Sequence, residues 1–128
     1  MAKKRVMVVD DEEHFLKIVK LNLEATKNFE VLTLNSAENI VAEVNRFCPD
    51  VILLDLLLPS MGGIEACEAL NNDPVGSKIP IVIISALDKE TDKLKAFKLG
   101  VVDYITKPID VNTMVAVIEK ALRGFNQR

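Results

Sequence analysis

Two unbroken apolar runs that each end in carboxylates constrain this chain most strongly. Val6–Val9 leads directly into Asp10 and Asp11, and Val51–Leu54 leads into Asp55. A strand that is covered by helices on both faces reads as a continuous apolar run, whereas a strand with one wet face alternates. Open sheets of parallel strands place their ligands just beyond the carboxyl ends of those strands. The sequence therefore predicts three carboxylates in one pocket at one edge of a parallel sheet.

Two further strand ends add a hydroxyl and an ammonium to this pocket. Ser85 follows the apolar run 81–84, and Lys107 follows the predicted strand 101–105 and stands before Pro108. Carboxylate oxygens suit a hard divalent cation, and Mg²⁺ is the ion that we expect at the acidic strand ends. Acids beside a metal ion, together with a hydroxyl and a lysine, are the groups that phosphoryl transfer to a carboxylate requires. The sequence therefore indicates phosphoryl-transfer chemistry.

The order of these motifs resembles that of the receiver domains of two-component response regulators. The resemblance extends over about residues 4–123, and its motifs are, in chain order, Val9-Asp10-Asp11, Asp55 with Leu58-Pro59, Met61-Gly62-Gly63, Ser85-Ala86, Tyr104 and Lys107-Pro108. It implies a doubly wound α/β fold of the flavodoxin-like kind. Such a fold has a five-stranded parallel sheet in the order 2-1-3-4-5 and five helices.

The resemblance also implies a role for each acid of the pocket. Asp55 matches the phosphoacceptor, which attacks a phosphohistidine and becomes an acyl phosphate. Asp10 and Asp11 match the acidic pair that holds Mg²⁺ in this family. The remaining metal ligands implied are Asp55 itself and the backbone carbonyl of Leu57. An isolated acid at a strand end would more often cap a helix or face solvent, so these roles depend on the complete set of motifs.

Three further residues match the groups that respond to the phosphoryl group. Lys107 matches the lysine that pairs with Asp55 when the site is empty and with the phosphoryl group when it is filled, and in the family a cis bond before Pro108 turns this lysine inward. Ser85 matches the hydroxyl that moves to bond a phosphoryl oxygen. Tyr104 matches the aromatic residue that turns inward when Ser85 moves, and an ordinary, partly buried strand tyrosine is the alternative.

Length and composition agree with one folded domain and disfavour several classes of protein. The chain has 128 residues, 49% of them hydrophobic, so we expect a single receiver domain over residues 1–128 with an ordered core at about 4–123. The net charge of −3 does not favour direct binding to nucleic acid. The apolar run after the basic start is too short for a signal peptide, and none approaches the roughly 20 residues that span a bilayer. We therefore expect a cytoplasmic protein without membrane contact.

Strand and helix alternate five times, which predicts the remaining elements. We expect helices over about 12–26, after Ser36, after Gly62-Gly63, over 89–99 and after Asp110, with a loop over 71–80. The expected side-chain caps are Ser36, Asp88 and Asp110, and Gly100 is the expected end of the fourth helix.

Helical spacing predicts which side chains face the core. The expected inner residues are Phe15, Ile18, Val19 and Leu23 in the first helix, and Leu94, Ala96 and Phe97 in the fourth. Glu12 and Glu13 are expected only to favour the dipole of the first helix. Cys48 and Cys67 lack the spacing of metal ligands and are expected to be buried, reduced packing residues.

The function implied is that of a signalling switch rather than of an enzyme with an external substrate. A sensor histidine kinase or a histidine phosphotransfer protein would donate the phosphoryl group, and the surface of helix 4, strand 5 and helix 5 would change its affinity for a downstream protein. The chain would be either a stand-alone receiver or a part of a longer regulator that carries an effector domain. Many members of this family dimerise when they are phosphorylated, so the resemblance also implies a phosphorylation-dependent dimer as an outcome.

Two other functions are alternatives to this switch. A receiver-like scaffold that acts without phosphorylation has no physical need for the complete set of site residues. An aspartyl-phosphate hydrolase of the haloacid-dehalogenase kind would need a second acid two residues after Asp55, where Leu57 stands.

Overall fold

A computed structural model describes residues 2–125 of the chain, without the side chain of Phe125. Residue 1 and residues 126–128 of the expected domain lie outside this part. The strands are β1 Lys4–Val9, β2 Phe29–Leu34, β3 Val51–Leu54, β4 Ile81–Ser85 and β5 Asp103–Thr106. The helices are α1 Glu13–Ala25, α2 Ile40–Phe47, α3 Gly63–Asn71, α4 Glu90–Lys98 and α5 Val111–Phe125, and a single 3₁₀ turn, Gly76–Lys78, lies in the expected loop before β4.

The five strands form one parallel sheet in the order β2-β1-β3-β4-β5, which confirms the predicted fold class. Strand and helix alternate along the whole described chain. Helices therefore cover both faces of the sheet, as in other doubly wound α/β folds. No helix within residues 2–125 is both long and apolar enough to cross a membrane.

The alternation of side chains along β1 explains its unbroken apolar run. Met7 and Val9 belong to the hydrophobic cluster on one face of the sheet, which includes residues of α2 and α3. Val6 and Val8 belong to the cluster on the other face, which includes residues of α1 and α5. All four side chains are almost completely buried. Because both faces are covered, every position of the strand is apolar, as the sequence predicted.

Parallel register brings the acidic strand ends together. Val9 of β1 pairs with Leu54 of β3, so Asp10 and Asp55 are the next residues on two adjacent strands. On the other side, Ser85 of β4 pairs with Thr106 of β5, the residue before Lys107. The groups predicted from separate strand ends thus share one edge of the sheet.

Several local predictions were wrong, and each has a packing reason. Ile18 is 44% exposed, and Leu16 is buried in its place, because α1 presents Leu16, Val19 and Leu23 to the sheet. On α4 only Ala96 is buried, and Leu94 and Phe97 are 56% and 47% exposed. This short helix contacts the rest of the fold over a small residue, which lets it lie close to its neighbours while its larger apolar side chains face outward.

Two of the three predicted helix caps were also wrong. Helix α2 begins at Ile40 rather than directly after Ser36, and Ser36 Oγ accepts a bond from the amide of Glu38 in the preceding loop. Helix α4 has Lys89 at its N-cap and no side-chain cap, so Asp88 does not cap it. Asp110 does cap α5, because its Oδ1 accepts a 2.7 Å bond from the amide of Thr113.

The ends of two helices account for further differences from the sequence prediction. Gly100 follows α4 with a φ of 89°, as expected of a residue that ends a helix in the left-handed region. Cys48 ends α2 in the same region, with a φ of 53°, and is exposed, so its predicted burial was wrong. Cys67, on the inner face of α3, is buried as predicted.

Candidate functional site

Asp10 and Asp55 lie at the centre of the edge formed by the carboxyl ends of β1 and β3. The amide of Asp55 donates a 3.0 Å bond to the carbonyl of Val9, so the ladder between the two strands continues into the site. Asp10 is 1% exposed and Asp55 is 5% exposed. Each carboxylate accepts a backbone bond from the residue two places on: Asp10 Oδ1 from Glu12 at 2.9 Å, and Asp55 Oδ1 from Leu57 at 3.0 Å. Both acids are therefore held by their own loops.

Asp11 completes a group of three acids. Carboxylate oxygens of Asp10, Asp11 and Asp55 all lie within 4.8 Å of one another, and Asp11 is the exposed member. One open side and two buried carboxylates suit Mg²⁺, which keeps several waters and binds few protein ligands. The backbone amide of Leu57 contacts Asp55, so this loop also lies beside the acidic group. The role of the Leu57 carbonyl as a ligand stays a prediction.

Lys107 reaches into this acidic group from the end of β5. Its amide donates a 2.8 Å bond to the carbonyl of Ser85, and the peptide bond to Pro108 is cis. Its Nζ lies 2.7 Å from Asp10 Oδ2 and 3.5 Å from Asp55 Oδ2. The resemblance implied a pairing with Asp55. The structure shows that pairing as the longer contact, with Asp10 as the closer partner.

The charges of the site do not balance among the protein groups alone. Burial opposes the positive charge of Lys107, but the hydrogen bond and charge of Asp10, followed by the charges of Asp55 and Glu12, outweigh it and raise its pKa. Burial also raises the pKa of Asp10, although the contact with Lys107 and the amide of Glu12 oppose that rise. One ammonium thus faces three carboxylates, and the exposed carboxylate of Asp11 lies beside two of them. The chemistry of the donor set fits a divalent cation, which would relieve the repulsion among them.

Ser85 and Tyr104 lie on the neighbouring strands and meet at the loop after β4. Ser85 is completely buried, and its Oγ accepts a 3.3 Å bond from the amide of Leu87. Tyr104 is 8% exposed and donates from its hydroxyl to the carbonyl of the same Leu87 at 2.7 Å. The structure therefore places the tyrosine inward, where both side chains hold one loop residue.

Gly63 allows the loop after β3 to return close to the site. Its amide donates a 3.1 Å bond to the carbonyl of Leu56. A Cβ atom at Gly63 would lie 2.5 Å from the Cα of Leu56 and 2.6 Å from the carbonyl oxygen of Asp55. A side chain would therefore displace the backbone that carries Asp55. The neighbouring Gly62 has no such restriction, because the nearest atom to its Cβ position is 3.8 Å away.

Two residues at the start of α1, Glu12 at its N-cap and Phe15 in its first turn, make contacts with Lys107 that the sequence did not indicate. Glu12 Oε1 lies 3.5 Å from Lys107 Nζ, so the expectation that Glu12 only favours the helix dipole was wrong. Phe15 was assigned to the core, yet its ring centroid lies 4.3 Å from Lys107 Nζ. Neither contact follows from spacing along the chain, because Lys107 is more than ninety residues away from both.

The chain matches a family model and curated relatives over nearly all of its length. The model of the response regulator receiver domain matches residues 6–119. Protein PilH of Pseudomonas aeruginosa is 34% identical over 121 residues, which make up 94% of this chain and 98% of PilH. Response regulator PleD of Caulobacter vibrioides is 36% identical over 119 residues, 93% of this chain and 26% of PleD. The chain thus spans about a quarter of PleD, and about half of the transcriptional regulatory protein PhoP of Bacillus subtilis.

Solved structures show the same fold. Chemotaxis protein CheY4 of Vibrio cholerae superposes with a TM-score of 0.88 at 23% identity, and the match covers 94% of this chain and 100% of CheY4. At that identity the likeness concerns the fold alone. The family model and the PilH relative give the classification: this chain belongs to the response regulator receiver domain family.

Proposed function

We propose that this chain is a phosphorylation-activated switch of a two-component system or phosphorelay, with Asp55 as its phosphoacceptor. The observation that carries the proposal is the convergence of three carboxylates and a lysine at one sheet edge, in a chain of the receiver family. Asp55 is the member of this group that lies next to both Lys107 and the loop of Leu57.

The transfer step proposed uses Asp55 Oδ2, the carboxylate oxygen that is not bonded to the Leu57 amide, as nucleophile. That oxygen forms a bond to phosphorus while the bond from phosphorus to the donor histidine nitrogen breaks, and the histidine leaves with the electron pair of that bond. The product is an acyl phosphate on Asp55. Lys107, now 3.5 Å from Asp55, would bind a phosphoryl oxygen, and the amide of Leu57 would keep the attacked carboxylate in place.

Asp10, Asp11 and Asp55 are the residues that would hold Mg²⁺, with the Leu57 carbonyl as a further ligand. When bound, the ion supplies positive charge that offsets the negative charge of the phosphoryl oxygens. In this scheme the phosphoryl group stays on Asp55 and no external substrate is turned over, so we class the chain as a signalling module rather than an enzyme.

The switching step proposed involves the loop after β4. Ser85 and Tyr104 both bond to Leu87, so a Ser85 hydroxyl drawn toward a phosphoryl oxygen would break its bond with the Leu87 amide and change the support of Tyr104. Tyr104 also lies under α4, where Lys93 Nζ is 5.8 Å from its ring centroid. This connection leads from the site to the surface of α4, β5 and α5, which we propose as the output face.

The proposed partners follow from the family. A sensor histidine kinase or a histidine phosphotransfer protein would be the donor. A downstream protein, an effector domain in a longer chain, or a second phosphorylated copy would meet the output face, where Leu94 and Phe97 of α4 are exposed.

The test is phosphorylation of the purified chain by acetyl phosphate with and without Mg²⁺, followed by intact mass measurement. We expect one phosphoryl adduct that requires Mg²⁺, is absent from Asp55→Asn and is retained by Asp73→Asn, an acid of the loop before β4. An adduct that persists in Asp55→Asn would contradict the assignment of the phosphoacceptor. Absence of any adduct, from small donors and from phosphohistidine donors alike, would favour the scaffold function.

A further inference from the structure

Phe15 adds an aromatic ring to the surroundings of the Lys107 ammonium. Lys107 Nζ is 4.3 Å from the centroid of its ring, well within the distance at which an ammonium is attracted to an aromatic face. Two buried carboxylates, Asp10 and Asp55, face the same ammonium at 2.7 Å and 3.5 Å. The ammonium therefore contacts an aromatic ring as well as two buried acids, and the Lys107 side chain is 13% exposed.

The ring is itself fixed by the fold. Phe15 stands in the first turn of α1, which begins at Glu13, and the approach to this helix is held by the bond from the Glu12 amide to Asp10. The Phe15 side chain packs against the hydrophobic cluster that α1 and α5 share with the sheet. It also lines the cleft beside Lys107, together with Pro108 and Ile109. A ring held beside Lys107 limits the positions that the Lys107 side chain can adopt.

The acids alone do not determine the position of the ammonium. Asp10, Asp55 and Glu12 all lie within 3.5 Å of it, and its shortest contact is with Asp10 rather than with the proposed phosphoacceptor. A lysine on a flexible stem has several ways to satisfy these acids. The ring face removes some of them, because an ammonium that moves away from the ring loses the attraction.

We propose that Phe15 is a positioning residue for phosphoryl transfer, acting through Lys107. Its ring holds the ammonium between Asp10 and Asp55, where it can bind a phosphoryl oxygen as the bond to Asp55 forms. This inference rests on the proposed function, because it concerns the rate of that transfer. Phe15 was expected only to pack in the core, and here it also influences phosphoryl transfer.

The first measurement tests the contact without any phosphorylation. The side-chain protons of Lys107 that lie over the ring carry an upfield ring-current shift, which NMR can follow in the folded chain. We expect this shift to persist in Phe15→Tyr and in Leu21→Ala, and to disappear in Phe15→Leu. Leu21 is a matched control, because it is an apolar residue of the same helix that is 72% exposed. A Lys107 shift that is unchanged in Phe15→Leu would overturn the proposal.

The second measurement is the rate of phosphorylation by acetyl phosphate at saturating Mg²⁺ over a range of donor concentrations. A cation–π contact of this kind predicts a maximal rate lowered on the order of tenfold in Phe15→Leu, with the donor concentration at half-maximal rate little changed. Phe15→Tyr, which keeps the ring face, should recover most of the rate. Leu21→Ala should match the parent chain.

A double-mutant cycle separates positioning from a general packing effect. In a Lys107→Met background, over longer incubation, Phe15→Leu should have no further effect on the rate. A loss of the same size in that background would overturn the proposal, since Phe15 would then act without the lysine. Equal rates for Phe15→Leu and the parent chain would overturn it as well. A parent chain that takes no phosphoryl group fails the proposed function itself, which is a different result from an adduct whose rate ignores Phe15.

Discussion

Lys107 and Asp10 form the closest ion pair of the site, with Nζ 2.7 Å from Oδ2. This contact joins the end of β5 to the end of β1 across the two strands that lie between them. Both partners are largely removed from solvent, with side-chain exposures of 13% and 2%. Removal of either partner would therefore leave the other charge buried without its counterion, which destabilises a fold.

We expect Lys107→Met to destabilise the chain by about 1–3 kcal/mol in the absence of Mg²⁺, because it leaves the buried Asp10 carboxylate without its cation. Added Mg²⁺ should recover part of this loss by supplying positive charge to the same acids. Urea unfolding with and without Mg²⁺ measures both effects. Lys20→Met, at an exposed position of α1, is the control, and equal stability of the two variants would contradict the prediction.

Tyr104 should titrate above its ordinary pKa. Burial raises the pKa of its hydroxyl first of all, and the nearby charge of Asp92 adds to the rise. Since the folded pKa lies above the unfolded value, this group contributes stability that is fully present below a pH of about 10 and is lost as the pH rises through the folded pKa.

The tyrosinate absorbance gives a direct measurement, because Tyr104 is the only tyrosine and the chain has no tryptophan. We expect a midpoint above that of the urea-unfolded chain. Tyr104→Phe should lose less stability than the parent chain between neutral and strongly alkaline pH. Coincident midpoints for the folded and unfolded chains would show that the burial of the hydroxyl has no such effect.

Gly63→Ala should destabilise the chain and disturb the site together. The added Cβ meets backbone atoms of Leu56 and Asp55 at 2.5–2.6 Å, and overpacking of this kind costs about 1–3 kcal/mol. Gly62→Ala is the matched control, since its Cβ meets no atom closer than 3.8 Å. Thermal unfolding and the rate of phosphoryl uptake should both separate the two variants. Similar behaviour of both alanine variants would contradict a close backbone approach at Gly63.

The two cysteines should differ in their reaction with a thiol reagent. Burial, with a smaller effect of the charge of Glu68, raises the pKa of the Cys67 thiol to about 12, whereas Cys48 is exposed at the end of α2. The thiolate is the reactive form, so one thiol per chain should react at pH 8 in the folded protein and two in urea. Cys48→Ser should leave the folded protein unreactive. A fast reaction in that variant would show that α3 opens readily.

Short-range pattern was enough to locate the strands and the groups at their ends. An unbroken apolar run marks a strand covered on both faces, and the residue after such a run lies at the sheet edge wherever the strand is placed. For that reason Asp10, Asp55 and Ser85 were assigned correctly to one edge before any strand was paired. The order of the strands was predicted from the resemblance to receiver domains. The apolar runs are too similar to one another to show which strands pair in the sheet.

The spacing of apolar residues was less informative where two faces of a helix are both apolar enough to pack against the core. In α1 both Ile18 and Leu16 fit an apolar stripe, and only contact with the sheet decides that Leu16 is the buried one. In α4 the small Ala96 is buried in preference to Leu94 and Phe97. Side-chain size and hydrophobicity thus do not determine the inner face when a helix makes few contacts.

Local sequence was sufficient to show that acids, a hydroxyl and a lysine follow the ends of strands, because each of those placements depends on neighbouring residues alone. The folded arrangement was needed to show that Lys107 lies closer to Asp10 than to Asp55, and that the ring of Phe15 lies beside the lysine. Those contacts join residues more than fifty positions apart. The two lysine–acid distances depend on the order of the strands in the sheet, and the ring distance depends on where α1 places its first turn. No local pattern of residues encodes either.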